Sequence, residues 1–201
     1  MKKVLLIASL FPFALAGQAA VAGDAAAGQT KAAACAACHG TDGNSMAPNF
    51  PKIAGQAESY IVKQLQDFKA GHRTDPTMNA MAMPLSETDM ADIGAFYASQ
   101  VGSNGTAAAD QVELGEKIYR AGNAASGVAA CAACHGPTGS GNPQASFPKL
   151  SGQHADYTAA QLHKFRKSER NNDAGSMMRG VAAKMSDAEI AAVSQYIQGL
   201  R

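Results

Sequence analysis

A seven-residue stretch, ACAACHG, occurs twice in this chain, at residues 34–40 and again at residues 130–136. Each copy contains a Cys-x-x-Cys pair followed at once by histidine. The six residues are Cys35, Cys38, His39, Cys131, Cys134 and His135. Few kinds of site require two thiols and an imidazole in this order, so the repeated motif constrains the fold and chemistry more than any other feature.

Cysteine pairs at this spacing serve three chemistries. A thioredoxin-like redox pair opens a helix within a βαβ pattern, and no strand-rich segment flanks either motif. A structural zinc site would need the two pairs to converge across about 92 residues and would leave the adjacent histidines unexplained. In c-type haem attachment, two thioethers fix the porphyrin edge and the next imidazole binds the iron. The motif therefore favours two covalently attached haem c groups, with disulfides or another metal site as the alternative.

The N-terminus indicates where the protein resides. Lys2 and Lys3 precede an apolar run over residues 4–16, and an Ala-Val-Ala site ends at Ala22. This is the layout of a secretory signal peptide. A membrane-spanning helix needs about 20 apolar residues, and this run is shorter. We therefore predict that residues 1–22 are a signal peptide and that the mature protein lies in the periplasm.

The charge balance excludes one class of partner. The chain has 17 lysines and arginines against 16 aspartates and glutamates, without a basic tract. We therefore expect no nucleic-acid partner. No apolar stretch after the leader is long enough to span a bilayer, so the mature protein is predicted to be soluble or peripheral to the membrane.

The similarity between the two halves extends beyond the motif. NFPKIAGQAESYIVKQLQDFKAG at residues 49–71 aligns with SFPKLSGQHADYTAAQLHKFRKS at residues 146–168. Further on, LSETDMADIGAFYASQ aligns with MSDAEIAAVSQYIQGL. The chain is a tandem duplication, and we predict domains over residues 23–100 and 110–201 with a Gly-, Ser- and Asn-containing linker over residues 101–109.

Both halves have the residue patterns of helices. Apolar residues recur at helical spacing in each, and no segment shows a convincing two-residue alternation. Ser86 and Ser186 each begin a capping box ahead of a last helix, and Asp24 and Asp110 are candidate N-caps of a first helix. We predict an all-α protein in which each half wraps round one haem that adds apolar volume to a small core.

The repeat also selects a second axial ligand for each iron. When the two capping boxes are aligned, the only methionines that coincide are Met78 and Met178, which precede the last helix in segments predicted to be irregular. A thioether favours ferrous iron, and His/Met ligation raises the reduction potential. The predicted axial pairs are therefore His39 with Met78 and His135 with Met178.

Other ligands remain open from the residues alone. Three methionines lie close to the aligned positions: Met81, Met83 and Met177. A bis-histidine site would need one of the three histidines outside the motifs: His72, His154 or His163. Pro51 and Pro148 also coincide, and a backbone carbonyl near each could accept the N–H of the axial histidine, although a simple turn would also explain these prolines.

These segments resemble the cytochrome c4 family. The resemblance rests on CAACHG, FPK, GQ, QL and a methionine segment in each half, and on GQHADYTAAQL and MRGVAAKMS in the second. It implies two tandem class I cytochrome c domains whose haems face each other across the domain interface. It also implies an electron carrier, not an enzyme, that passes electrons from a quinol-oxidising complex towards a terminal oxidase, often at the outer face of the inner membrane.

Two other functions remain as alternatives. A di-haem peroxidase would need one haem with an open or displaceable ligand, and two His/Met sites argue against it. A fixed cytochrome subunit of a membrane dehydrogenase or oxidase is the third possibility, because a docking surface leaves no sequence motif.

Overall fold

The computed structural model describes residues 22–201, so the predicted signal peptide lies outside the described residues except for Ala22. Helices α1 to α5 of the first half are Ala25–Lys31, Ala36–His39, Glu58–Lys69, Pro76–Ala82 and Glu87–Ala98. Helices α6 to α10 of the second half are Ala109–Ala121, Ala132–His135, Ala155–Arg166, Met177–Ala182 and Asp187–Gly199. Residues 22–201 contain no β-strand, only two isolated bridges, so the predicted all-α fold is confirmed. Within this range no helix is both long and apolar enough to cross a membrane.

The first and last helices of each half cross in close contact, and a glycine makes each crossing possible. A Cβ atom at Gly28 of α1 would lie 1.9 Å from the carbonyl oxygen of Asp92 in α5. A Cβ atom at Gly115 of α6 would lie 2.3 Å from the carbonyl oxygen of Ala192 in α10. Both distances are far inside van der Waals contact, so only glycine fits at these two positions.

A third helix in each half, α3 or α8, completes the core by packing against the last helix. The apolar positions predicted to share a face of these helices are buried: Ile61, Leu65, Phe68, Leu162 and Phe165. Apart from Phe165, they form one core cluster per half with buried apolar residues of the last helices: Ile93, Phe96 and Tyr97 in the first half, and Val193, Tyr196 and Ile197 in the second. The helical spacing read from the sequence therefore identified the core face correctly.

The predicted caps are confirmed at three of four helices. The hydroxyls of Ser86 and Ser186 each accept from the backbone three residues on, and both capping boxes are complete. The carboxylate of Asp24 caps α1. The prediction for Asp110 is wrong, because α6 begins at Ala109 with Ala108 at the N-cap, two residues before the predicted cap. Asp110 instead lies in the first turn of α6, where its negative charge interacts favourably with the positive end of the helix dipole.

Residues 101–108 have no regular structure and contact both halves. The side chain of Asn44 donates to the carbonyl of Val101 and accepts from the N–H of Ser103. The N–H of Gly105 donates to the carbonyl of Gln198 in α10. The segment predicted as a linker is therefore held on the first half at its start and on the second half further along.

The two halves pack through residues that coincide in the repeat. Buried Arg73 donates to the hydroxyl of Tyr157 in the other half at 3.0 Å, and buried Arg170 donates to the hydroxyl of Tyr60 at 3.0 Å. Both guanidinium groups also bind the Oε1 atoms of two glutamines: Gln64 and Gln161. Each contact therefore occurs twice with the halves exchanged, as in an isologous dimer interface.

Candidate haem-binding sites

A short helix holds the two cysteines and the histidine of each motif on one turn. The N–H of His39 donates to the carbonyl of Cys35 at 3.0 Å, and that of His135 to the carbonyl of Cys131 at 2.9 Å. Gly40 ends the first of these helices with φ of 81°, a conformation that favours glycine and explains the last letter of the repeated heptapeptide. All four cysteines are free, so the structure does not form the alternative disulfides.

The histidine of each motif is buried and held by one backbone carbonyl. His39 and His135 are 7% and 6% exposed, and each Nδ1 lies 2.9 Å from the carbonyl oxygen of Pro51 or Pro148. Of the two explanations left open for the coincident prolines, the structure therefore supports the contact with the histidine. Burial lowers the pKa of both imidazoles, while the proline carbonyls act in the opposite direction. A carbonyl can only accept, so Nδ1 carries the proton and the lone pair of Nε2 remains available to a metal.

The methionines differ in their surroundings. Met78 in α4 and Met178 in α9 are half-buried and pack against the core of their own half. The neighbouring alternatives are exposed: Met81, Met83 and Met177. Burial next to the core is what an axial ligand requires, so Met78 and Met178 remain the predicted ligands.

The segments that carry these methionines are short helices rather than the irregular loops expected from their composition. Asp75 caps α4 through the N–H of Met78, and Pro76 occupies the first helical position, where its missing N–H has no cost. In the second half, Ser176 in a left-handed conformation (φ 57°) precedes α9. Local capping therefore explains the helix in the first half, whereas α9 begins without a side-chain cap.

The three remaining histidines have different surroundings. His72 is exposed, and His163 lies beside Arg166, whose guanidinium donates to its Nδ1 at 3.0 Å. The Nε2 atom of His154 lies 2.8 Å from the carbonyl oxygen of Ser45 in the other half. His154 is therefore part of the interface between the halves.

Sequence reasoning missed one set of interface residues near the motifs. The side-chain amides of Gln56 and Gln153 each bridge to the other half, where they bind the backbone of Lys149 and Lys52. Both glutamines belong to the GQ segment that occurs in each half, and this repetition is the sequence signal that could have identified them. The sequence shows that this glutamine is repeated in both halves, but its partner is visible only when the halves are packed together.

The donor atoms of each half fit a haem better than a bare metal ion. Within residues 22–201, no three His, Cys, Asp or Glu side chains converge on a point that could hold a metal. Each half offers one neutral imidazole, one half-buried thioether and two free thiols in the adjoining turn. Burial raises the pKa of the Cys35 thiol and raises that of Cys131 to about 11. This set matches a porphyrin that brings its own four nitrogen ligands and is attached through two thioethers.

The fold and the donor set together define a pair of c-type cytochrome domains in tandem. Residues 25–100 and 112–201 match the model of the cytochrome c family. Cytochrome c4 of Stutzerimonas stutzeri is 52% identical over 210 residues, which cover all of both chains. The crystal structure of reduced recombinant cytochrome c4 from Pseudomonas stutzeri matches with a TM-score of 0.87 at 54% identity, covering 90% of this chain and 100% of that one.

The chain belongs to the cytochrome c4 family. It therefore binds two haem c groups covalently, at Cys35 and Cys38 and at Cys131 and Cys134, and it is an electron-transfer protein rather than an enzyme. A second kind of relative is the thiosulfate dehydrogenase electron acceptor of Stutzerimonas stutzeri strain A1501. It is 40% identical over 170 residues, which cover 82% of this chain and 78% of that protein.

Proposed function

We propose that this protein relays single electrons between redox proteins of the periplasm, with His39 and Met78 as the axial ligands of one haem and His135 and Met178 as those of the other. One observation carries the proposal. In each half, a buried neutral histidine has its Nδ1 engaged and its Nε2 free, on the same turn as two free cysteines. The signal peptide predicted over residues 1–22 supports the assignment to the periplasm.

The protein residues make each site suited to electron transfer and unsuited to peroxide chemistry. A bound haem supplies a one-electron couple between ferric and ferrous iron. The proline carbonyls fix the plane and tautomer of each histidine, so little rearrangement accompanies a change of iron charge. The half-buried methionines would fill the second axial position and exclude water and peroxide. Two filled positions favour a carrier over the peroxidase alternative.

The interface between the halves supports an internal relay. Matched hydrogen bonds from Arg73 and Arg170, each to a tyrosine of the other half, fix the relative position of the two domains. A fixed separation between two redox groups keeps the rate of transfer between them constant. We propose that an electron enters on one haem, crosses this interface and leaves from the other.

Similar proteins support candidate electron donors and an acceptor for this protein. The cytochrome c4 family supports a donor on the quinol-oxidising branch of the respiratory chain and a terminal oxidase as acceptor, with the protein at or near the outer face of the inner membrane. The 40% identity to a thiosulfate dehydrogenase electron acceptor favours a second candidate donor, an enzyme that oxidises thiosulfate.

A stopped-flow experiment distinguishes the two routes. The oxidised holoprotein is mixed separately with a reduced quinol-oxidising complex and with a thiosulfate dehydrogenase plus thiosulfate, and haem reduction is followed. The reduced protein is then mixed with a terminal oxidase. Rapid reduction by the quinol branch and rapid oxidation by the oxidase support the respiratory relay. Rapid reduction only by the thiosulfate enzyme would replace the proposed donor, and no transfer to any oxidase would refute the relay.

A further inference from the structure

The peptide group that accepts the hydrogen bond of His39 has a second partner in the other half of the molecule. The carbonyl of Pro51 lies 2.9 Å from Nδ1 of His39. The N–H of Lys52 belongs to the same peptide group and donates to Oε1 of Gln153 at 2.9 Å. Nε2 of Gln153 donates back to the carbonyl of Lys52 at 2.8 Å. This peptide is therefore held at its oxygen by its own half and at its nitrogen by the other half.

The same arrangement occurs with the halves exchanged. The carbonyl of Pro148 lies 2.9 Å from Nδ1 of His135, and the N–H of Lys149 in that peptide donates to Oε1 of Gln56 at 2.9 Å. Nε2 of Gln56 donates to the carbonyl of Lys149 at 3.0 Å. Each half therefore sends one glutamine to the peptide that supports the histidine of the other half.

The orientation of each glutamine amide is determined by its surroundings. Oε1 of Gln56 also accepts from the N–H of Ala57 at 3.1 Å, and Oε1 of Gln153 accepts from the N–H of His154 at 3.0 Å. Two donors converge on each oxygen while a carbonyl faces each Nε2, so a flipped amide would lose all three bonds. Gln56 is buried and Gln153 is half-buried, which keeps these hydrogen bonds in a medium of low dielectric constant.

We propose that Gln153 and Gln56 are positioning residues that lower the reduction potential of the haem in the opposite half. The proposal rests on the proposed axial ligation by His39 and His135. A peptide whose N–H donates to an amide oxygen has a more negative carbonyl oxygen, because hydrogen bonds in a chain polarise one another. That oxygen accepts more strongly from the imidazole, and the imidazole becomes a more basic ligand. A more basic ligand favours ferric iron, so the potential falls.

Two single substitutions in the full-length di-haem protein test this crossed effect. Gln153→Leu keeps approximately the side-chain volume but removes the acceptor of the Lys52 N–H. We expect the haem attached at Cys35 and Cys38 to rise in potential while the other haem is unchanged. Gln56→Leu is expected to produce the reverse pattern. Potentials are measured by spectroelectrochemical titration and assigned to each half through the haem-methyl resonances.

The histidine proton gives an independent readout that a purely structural role would not move selectively. In the ferrous protein, Gln153→Leu should shift the Nδ1–H resonance of His39 upfield, because its hydrogen bond weakens, and leave that of His135 in place. Ser59→Ala is the matched interface control, since it removes a hydrogen bond to the carbonyl of Pro143 in the other half without touching either histidine-supporting peptide. The control should move neither potential.

The possible outcomes separate this proposal from the proposed function. A selective shift at the opposite haem supports it. Equal shifts at both haems would mean that the substitution merely loosens the interface, and no shift at the opposite haem would mean that the peptide transmits nothing; either result overturns the proposal. If the unsubstituted protein lacked histidine-ligated haem, the proposed function would fail with it, whereas histidine ligation with unmoved potentials would refute this proposal alone.

Discussion

At the scale of single residues, the histidine and its proline carbonyl are the best-defined part of each site. The repeated motif predicted the histidine. The coincidence of Pro51 and Pro148 pointed either to an acceptor for the histidine or to a simple turn, and only the structure distinguishes the two. The prediction of the two methionine ligands rested only on the alignment of the two halves. The structure adds that Met78 and Met178 are half-buried while Met177 beside the latter is 46% exposed.

The proposed methionine ligands can be tested against their exposed neighbours. Met178→Ala should abolish the sulfur-to-iron charge-transfer band of one haem and lower its reduction potential, because a thioether stabilises ferrous iron. The other haem should keep both properties. Met177→Ala is the matched control and should change neither haem, as measured by magnetic circular dichroism and redox titration. An intact band at both haems in the Met178→Ala protein would refute this ligand.

At the scale of helices, the N-terminal caps and the glycines at the helix crossings determine how the helices of each half pack together. Capping boxes and apolar spacing are short-range patterns, so Ser86, Ser186 and the core faces could be predicted from the sequence. The close crossings at Gly28 and Gly115 could not, because a glycine inside a helical pattern gives no sign of what approaches it. The wrong N-cap at Asp110 has a related cause, since an acidic residue is favourable both at the cap and in the first turn.

Gly115→Ala tests the crossing of α6 and α10. In a solvent-exposed helix this change would stabilise by up to about 1 kcal/mol. Here the added Cβ would meet the carbonyl oxygen of Ala192, so we expect a loss of about 1–3 kcal/mol in the free energy of unfolding, as is typical of overpacking. Denaturant unfolding followed by circular dichroism measures it. Glu113→Ala, on the exposed side of the same helix, is the control, and a Gly115→Ala protein as stable as that control would contradict the close crossing.

The contact between α1 and α5 predicts a dependence on pH. Nζ of Lys31 lies 2.7 Å from Asp89 and 2.6 Å from Asp92, and its hydrogen bonds hold the pKa of both carboxyls below their usual range. A depressed carboxyl pKa contributes stability above the ordinary aspartate pKa of about 3.9, and the contribution is lost as the pH falls below it.

Lys31→Met removes this contribution. The variant should be less stable than the unsubstituted protein at pH 7, and the difference should shrink as the pH is lowered towards the acid range. Unfolding in denaturant at a series of pH values tests the expectation. Lys117→Met is a suitable control because the Lys117 side chain forms no ion pair among the described residues. A stability difference that is constant with pH would contradict the role given to Lys31.

At the scale of the whole molecule, two similar domains are joined by contacts that are themselves repeated. The tandem duplication was evident from the sequence, but the interface was not, because docking brings together residues far apart in the chain. Arg73 stacks over Phe68 of its own half, with 4.6 Å from Cζ to the ring centroid, while it binds Tyr157 of the other. Arg170 does the same with Phe165 at 4.5 Å.

Arg73→Leu tests the contribution of this interface. The substitution leaves the hydroxyl of Tyr157 without its charged donor and removes one of the two arginine donors of each glutamine oxygen. Each such hydrogen bond is worth about 1.5–3 kcal/mol. We expect a loss of at least that size in the free energy of unfolding, together with separate transitions for the two halves in calorimetry. Arg120→Leu, which removes an exposed pair with Glu116, should leave a single transition. One unaltered transition in the Arg73→Leu protein would show that other contacts couple the halves.

The most direct test of the central claim is a spectrum of the full-length protein, produced with its predicted signal peptide and a c-type haem maturation system. A pyridine haemochrome assay counts haem per chain, and magnetic circular dichroism identifies the axial ligands. Two covalent haems per chain, both low-spin and both showing the sulfur-to-iron band, are predicted. A high-spin or bis-histidine haem, or a single haem per chain, would contradict the account of two equivalent His/Met electron-transfer sites.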